Sequence, residues 1–223
     1  MGTLVLYCLR FLVMFMRQRL NKTVQPIRSQ SDRNALLSYF WNHDLRDYAF
    51  FQFGIATGRR ISDLVRLNVR DVAYIDRKGR FCIVERFEVR EKKTGKFANI
   101  MLHPSARRAL SKYLRQRRKK SESLGALLHE PLFKSRKQGR DGQYRIREQQ
   151  AWRILALAAR ACGLTYKIGT HSLRKTFGYI LYQSGQSIEL IQKFLNHSSP
   201  AITLAYIGIT QDDMDEAILS MNI

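Results

Sequence analysis

Acidic side chains are scarce in this sequence. Asp and Glu number 18 against 39 Lys and Arg, a formal net charge of +21 at neutral pH. So large a surplus repels itself unless a polyanion is at hand. Nucleic acid is the leading partner, because neutralised phosphates release counterions and drive binding. A structural RNA-binding protein is the plainer reading of the charge alone, and an anionic membrane surface the weaker one.

Cysteine is almost missing. Cys8, Cys82 and Cys162 are odd in number, widely spaced and form no C-x-x-C pair. Neither a disulfide framework nor a zinc site is indicated, and reduced thiols in a cytoplasmic protein are expected. There is no carboxylate cluster and no Gly-rich phosphate loop, so no metal, cofactor or nucleotide is expected. Repeats and low-complexity tracts are absent. No apolar run reaches membrane length. Residues 1–16 come nearest, but they are interrupted by Arg10 and followed by Arg17, Gln18 and Arg19. The run is short for a span, lacks a small-residue cleavage site, and has its basic residues on the wrong side for a signal peptide. An amphipathic helix packing on the body or on a partner is expected there, with a membrane anchor as the alternative.

What remains fits one substantial core, with residues 1–22 as an apolar and basic leading segment and 23–223 as the main domain. Pro26 breaks the chain, and Ser31 is placed to cap a helix running to about Trp41. A second helix fits 45–55, broken by Thr57-Gly58, and a short one fits 62–67, with Val69 and Val72 leading into a strand. The period then changes. Residues 81–90 are rich in β-formers, Thr94-Gly95-Lys96 makes a turn, and 97–102 return as a strand. Pro104 opens a helix to about Lys119, and Leu132-Phe133 begins a short buried piece. A basic loop over 134–147 precedes a helix over 148–162 stopped by Gly163. Thr170, Ser187 and Pro200 open three further helices, and a last one fits 212–219. The expected fold is α+β, mostly α, with one small antiparallel β-sheet of three strands.

Three stretches carry chemistry-capable residues: Thr57-Gly58-Arg59-Arg60-Ile61-Ser62-Asp63, His171-Ser172-Leu173-Arg174, and Leu195-Asn196-His197, with Tyr206 nine positions after His197. Lys92-Lys93-Thr94-Gly95 in the turn is a weaker fourth. Taken singly, each has an ordinary reading: a solvated arginine, a capping histidine, a rim tyrosine, an exposed turn lysine. Together they could cleave a phosphodiester. A tyrosine can attack phosphorus and hold the strand end as an ester. Two guanidiniums can answer the charge that develops on the non-bridging oxygens. A lysine can protonate the leaving oxygen, and imidazoles can take the tyrosine proton or hold a phosphate oxygen.

In order and spacing these motifs resemble the tyrosine recombinase (phage integrase) family, over nearly all of the chain from about Val24 onward. The resemblance implies a site-specific DNA recombinase acting through a 3′-phosphotyrosine. Arg60 and Arg174 would clamp the scissile phosphate, with Asp63 bracing Arg60. Lys93 would be the general acid, although the register leaves Lys92 open. His171 would bond the phosphate and take the tyrosine proton, His197 would contact a non-bridging oxygen, and Tyr206 would be the nucleophile. Double-stranded DNA is the implied partner, with self-association into a tetrameric synapse, accessory DNA-binding proteins and no membrane. About 22 residues precede the pattern, too few for the DNA-gripping domain of larger recombinases, so the chain resembles the short, catalytic-domain-only form. Two other readings stand beside it. One is a non-catalytic regulator, since 170–195 mimics a helix-turn-helix, though Ile188–Leu195 offers few polar side chains to read bases. The other is a type IB topoisomerase-like nicking and closing enzyme. Met214, Ala217, Ile218 and Met221 share one face of the last helix, an apolar stripe that wants a covering surface; its own core is one candidate, and the resemblance implies the other, a second protomer.

Overall fold

The computed structural model describes residues 24–139 and 142–221; the helix expected over 1–16 lies outside them. The first helix, α1 (Gln30–His43), begins two residues earlier than Ser31 suggests, because Ser29 is the cap and its hydroxyl accepts the Asp32 N–H. Asp44 caps the next, α2 (Leu45–Thr57), by accepting the Arg46 N–H at 2.8 Å. Helix α2 is apolar nearly all round, with Phe50, Phe51 and Phe53 fully buried, so it runs through the centre of the molecule. It packs on α1, on α4 (Pro104–Arg118) and on α7 (Ser172–Gln183). Against α7 the approach is close: a Cβ on Gly54 would lie 2.5 Å from Leu173 Cδ1.

Gly58 ends α2 in the left-handed region, at φ 61°. Beyond it α3 (Ile61–Leu64) is a single turn, shorter than expected, and a 3₁₀ turn (Val69–Asp71) follows. The β structure is antiparallel as expected, but it forms two two-stranded ladders rather than one three-stranded sheet. Strands β1 (Ala73–Ile75) and β2 (Phe81–Ile83) pair, and β3 (Arg86–Arg90) pairs with β4 (Phe97–Met101). The β-rich run 81–90 divides because its backbone changes partner midway. The Val84 N–H still bonds back to Val72 O, whereas Glu85 O already accepts from Leu102. In the second ladder Phe87 and Val89 point into the core and Arg86, Glu88 and Arg90 point out.

A short helix, α5 (Leu124–His129), escapes the sequence reading; it is capped by Ser123 and only Leu127 is buried on it. Then come α6 (Glu148–Ala161), α7, α8 (Ile188–Leu195), α9 (Pro200–Ile207) and α10 (Gln211–Leu219). The main core spans α1 to the start of α7, centred on Phe50, Phe53, Phe133, Leu110 and Leu173. Tyr179, Ile191, Leu195 and Ile207 form a small second cluster that joins α7, α8 and α9, with Tyr206 packed at its edge. Among the described residues no helix is long and apolar enough to cross a membrane.

A Cβ on Gly58 would meet the Phe177 ring at 2.3 Å from a backbone that already sits at positive φ. Gly58→Ala should therefore cost about 1–3 kcal/mol and lower the melting temperature by several degrees. An unchanged melting curve would show that the α2–α7 contact yields freely.

Candidate active site

Arg174 sits in the first turn of α7, 2% exposed. Its Nη1 donates to Gly58 O at 2.8 Å, and its Nη2 donates to Leu195 O. One guanidinium thus ties the end of α2 to the end of α8. Burial pushes its pKa down to about 10, and nearby Arg60 and Arg59 add to the fall. It stays charged at neutral pH even so.

The chain beyond each anchored carbonyl carries a further site residue. After Gly58 come Arg59 and Arg60, which behave differently. Arg59 is 5% exposed and committed to protein: it donates to Glu91 Oε1 at 2.9 Å, to Phe194 O at 2.6 Å and to Thr57 O at 3.3 Å. Among the described residues Arg60 donates one bond, Nη1 to Glu91 Oε2 at 2.9 Å, and it faces an open cleft. After Leu195, Asn196 adopts the left-handed conformation and turns the chain into His197. Helix α9 then starts at Pro200 behind the Ser199 cap and brings Tyr206 back toward the start of α7. The Tyr206 hydroxyl lies 3.3 Å from His171 Nδ1, and its ring meets His197 edge to face with centroids 4.8 Å apart. His197 Nδ1 is held by Thr203 Oγ1 at 3.2 Å.

The cleft has a volume of about 410 Å³, and Arg60, Lys92, Lys93, Glu148, His171 and Arg174 line it. Four stretches distant in sequence therefore meet there, with Tyr206 joined through His171. The turn between β3 and β4 supplies both lysines. Lys92 Nζ lies 3.9 Å from Glu148 Oε1, whereas the Lys93 ammonium has no partner among the described residues. Asp63 does not pair with Arg60. Its Oδ1 accepts the Lys92 backbone N–H at 2.9 Å, and its Oδ2 is buried without a hydrogen-bond partner among the described residues. The one-turn spacing fails because Arg60 precedes α3 as its cap residue and is not on its face. Glu91 is the carboxylate that meets Arg60. The sequence reading missed it, as it missed Arg59 and Lys175, whose Nζ sits 5.3 Å from the Tyr206 ring centroid.

The electrostatics follow from burial beside cations. Burial, then Arg174, Lys175 and Arg60, holds His171 below its ordinary 6.5, outweighing Glu148. Burial, then Arg174 and Arg60, does the same to His197. Both imidazoles are neutral at pH 7 and able to accept a proton. Burial pushes the Tyr206 phenol above its ordinary 10.0, while Arg174 and Arg60 pull it back. Burial also pushes Glu91 up, but the Thr94 hydroxyl and the Arg60 and Arg59 guanidiniums prevail and hold it below the usual carboxylate range. The arrangement offers a hydroxyl nucleophile beside a neutral base, two guanidiniums and a free ammonium, the parts of a phosphoryl-transfer site.

Comparison with known proteins agrees. Residues 29–212 match the model of the phage integrase family. The chain is 40% identical over 189 residues to the probable integrase/recombinase YoeC of Bacillus subtilis (strain 168), covering 85% of this chain and 92% of that one. It is 35% identical over 169 residues to the tyrosine recombinase XerC of Thermodesulfovibrio yellowstonii, covering 74% of this chain and 50% of that one. Among solved structures, the fold is similar to that of XerA recombinase, with a TM-score of 0.67, 22% identity and coverage of 91% and 66%. It is also similar to a lambda integrase (75–356) dimer bound to a COC′ core site, with a TM-score of 0.57, 18% identity and coverage of 85% and 62%. The chain spans nearly all of YoeC but about half of the Xer recombinase of Thermodesulfovibrio. By motif order, fold and sequence match, the chain belongs to the phage integrase family, the tyrosine recombinases.

Proposed function

We propose that the chain is a site-specific recombinase that cuts and rejoins double-stranded DNA through a 3′-phosphotyrosine. The observation that carries this reading is the meeting of Arg60, His171 and Arg174 in one cleft, with the Tyr206 hydroxyl at 3.3 Å from His171. Tyr206 Oη attacks the phosphorus and gives its proton to neutral His171. The bond from phosphorus to the 5′ oxygen breaks, and the Lys93 ammonium protonates that oxygen. Arg60 and Arg174 hold the non-bridging oxygens, joined by His197, as charge builds on them. Rejoining is the reverse, with a 5′ hydroxyl as attacking group, so the energy of the broken bond is kept in the ester. The net charge of +21 supports a polyanion as substrate. Neither the non-catalytic regulator nor the topoisomerase-like reading accounts as well for the match to integrases and recombinases along this length.

The protein also self-associates on DNA through α10 in this reading. Arg28 bonds Gly208 O and pairs with Asp213 at 3.0 Å, and Asp213 Oδ2 accepts the Thr210 N–H at 2.7 Å. These bonds tether the first turn of α10 to its own body. Met214, Ile218 and Met221 are nevertheless about half exposed or more, so the body does not cover the apolar stripe. A neighbouring protomer is the surface offered to it.

On a nicked suicide duplex, wild-type protein should form a covalent adduct that Tyr206→Phe does not, while that variant still shifts the DNA in a gel. An adduct of undiminished yield, or one mapped to Tyr179 or Tyr182, contradicts the assignment. Arg60→Lys and Arg174→Lys should each slow single-turnover cleavage by about 10²–10³-fold, the scale of one lost transition-state donor; near-normal rates in both would remove the clamp.

Cleavage should fall as pH drops through the His171 pKa, where the base becomes a cation. Because that value is depressed, the acidic limb should lie below 6.5, and a limb at or above it contradicts the assignment of His171 as base. Truncation before Asp212 should leave binding to one half-site intact and weaken cooperative assembly on a two-site DNA, and unchanged cooperativity in a gel-shift titration would return the helix to its own body.

A further inference from the structure

Glu91 follows β3 directly, in a run of Arg90, Lys92 and Lys93 that reads as a solvated charge cluster. It is instead 3% exposed. Its carboxylate bridges two adjacent arginines, with Oε1 to Arg59 and Oε2 to Arg60, both at 2.9 Å. Oε2 also accepts the Thr94 hydroxyl at 2.9 Å, from inside the turn that carries Lys93. The backbone of the same residue closes that turn: its N–H donates to Lys96 O at 2.9 Å, and its carbonyl accepts from Gly95 at 2.8 Å.

Two consequences follow from the geometry. Of the Arg60 guanidinium only Nη1 is bonded among the described residues, so one edge is fixed by Glu91 and the rest of the fork is left for an anion. The turn, for its part, is fixed from three sides: by Glu91 through Thr94, by Glu91 through its own backbone, and by Asp63 through the Lys92 N–H at 2.9 Å. One buried carboxylate therefore sets the distance between the first guanidinium and the lysine-bearing turn. It also compensates the buried Arg59 cation, which would otherwise be costly to keep in the interior.

We propose that Glu91 is a positioning residue that locks Arg60 and the Lys93 turn into one unit, so that the phosphate clamp and the leaving-group acid meet the scissile phosphate together. Glu91 touches no substrate; it acts through Arg60 and the turn. The proposal rests on the recombinase reading of those two residues.

The test is single-turnover cleavage of a nicked suicide duplex, with DNA affinity and thermal melting measured in parallel. Glu91→Gln keeps the shape and removes the charge. It should slow cleavage by about 10- to 100-fold, the scale of one or two charge-assisted hydrogen bonds, without a matching loss of affinity. Because that variant strands the Arg59 cation, the double variant Arg59→Met with Glu91→Gln is the control for folding; it should melt as a folded protein and remain slow. In an Arg60→Lys background Glu91→Gln should add little, since the guanidinium it orients is gone, whereas in a His197→Ala background it should exact its full effect. A folded Glu91→Gln protein, single or double, that cleaves at the wild-type rate overturns the proposal. So does an effect that multiplies fully with Arg60→Lys, or a loss that lies wholly in affinity. If Arg60→Lys itself cleaves normally, the clamp reading fails first and takes this proposal with it; if Arg60→Lys is slow and Glu91→Gln is not, only the role of Glu91 is lost.

Discussion

The buried guanidinium of Arg174 is the constraint on which the site depends. It bonds the carbonyls that end α2 and α8, and each carbonyl directly precedes a piece of the site: Arg59 and Arg60 on one side, His197 on the other. His171 stands three residues before it on the same chain. Without that cation two helix ends would present unsatisfied carbonyls around a hole. With it, residues from four distant stretches share one cleft. Such an arginine is costly to bury, and burial pulls its pKa down to about 10.

The basic surplus divides into two populations. Some arginines are internal braces. Arg33 bonds the carbonyls of Ile27 and Arg28, Arg117 bonds those of Pro131 and Leu132, and Arg145 bonds those of Val65 and Arg66. Arginine suits this work because its planar fork satisfies two acceptors with one side chain. These residues contribute to the formal charge but hold loops and helix ends in place. The cations left to attract a polyanion are those with exposed heads, such as Lys93 and Arg136 at the cleft and on the 134–147 loop.

Much of this was legible in the sequence. Local chemistry carried some helix ends: Gly58 closes α2, Ser187 caps α8 and Pro200 opens α9, whereas α1 is capped by Ser29 rather than Ser31 and α7 starts behind His171 rather than Thr170. Motif order singled out residues far apart in the sequence, and the cleft gathers four of them, Arg60, Lys93, His171 and Arg174. What escaped depends on tertiary partners. The ladder break at Val84 is set by which backbone lies opposite, and helix α5, six residues long, is too short for a helical period to show. Asp63 keeps its place in the motif but bonds the hairpin backbone rather than Arg60. Glu91 was invisible because a carboxylate among cations looks solvated until the fold buries it. Neither the burial nor the double bridge to Arg59 and Arg60 has any local signature.

In the proposed mechanism the Lys93 turn supplies the leaving-group proton and the two arginines hold the developing charge, and one substrate separates those tasks. Replacing the scissile 5′-bridging oxygen with sulfur makes a leaving group that departs without protonation. The measurement is the single-turnover rate on this DNA for Lys93→Ala, Arg60→Lys and Arg174→Lys, each relative to wild type. The account predicts that Lys93→Ala, slow on ordinary DNA, recovers to near the wild-type rate on the sulfur substrate while both arginine variants stay slow. Recovery of the arginine variants, or none for Lys93→Ala, would contradict it.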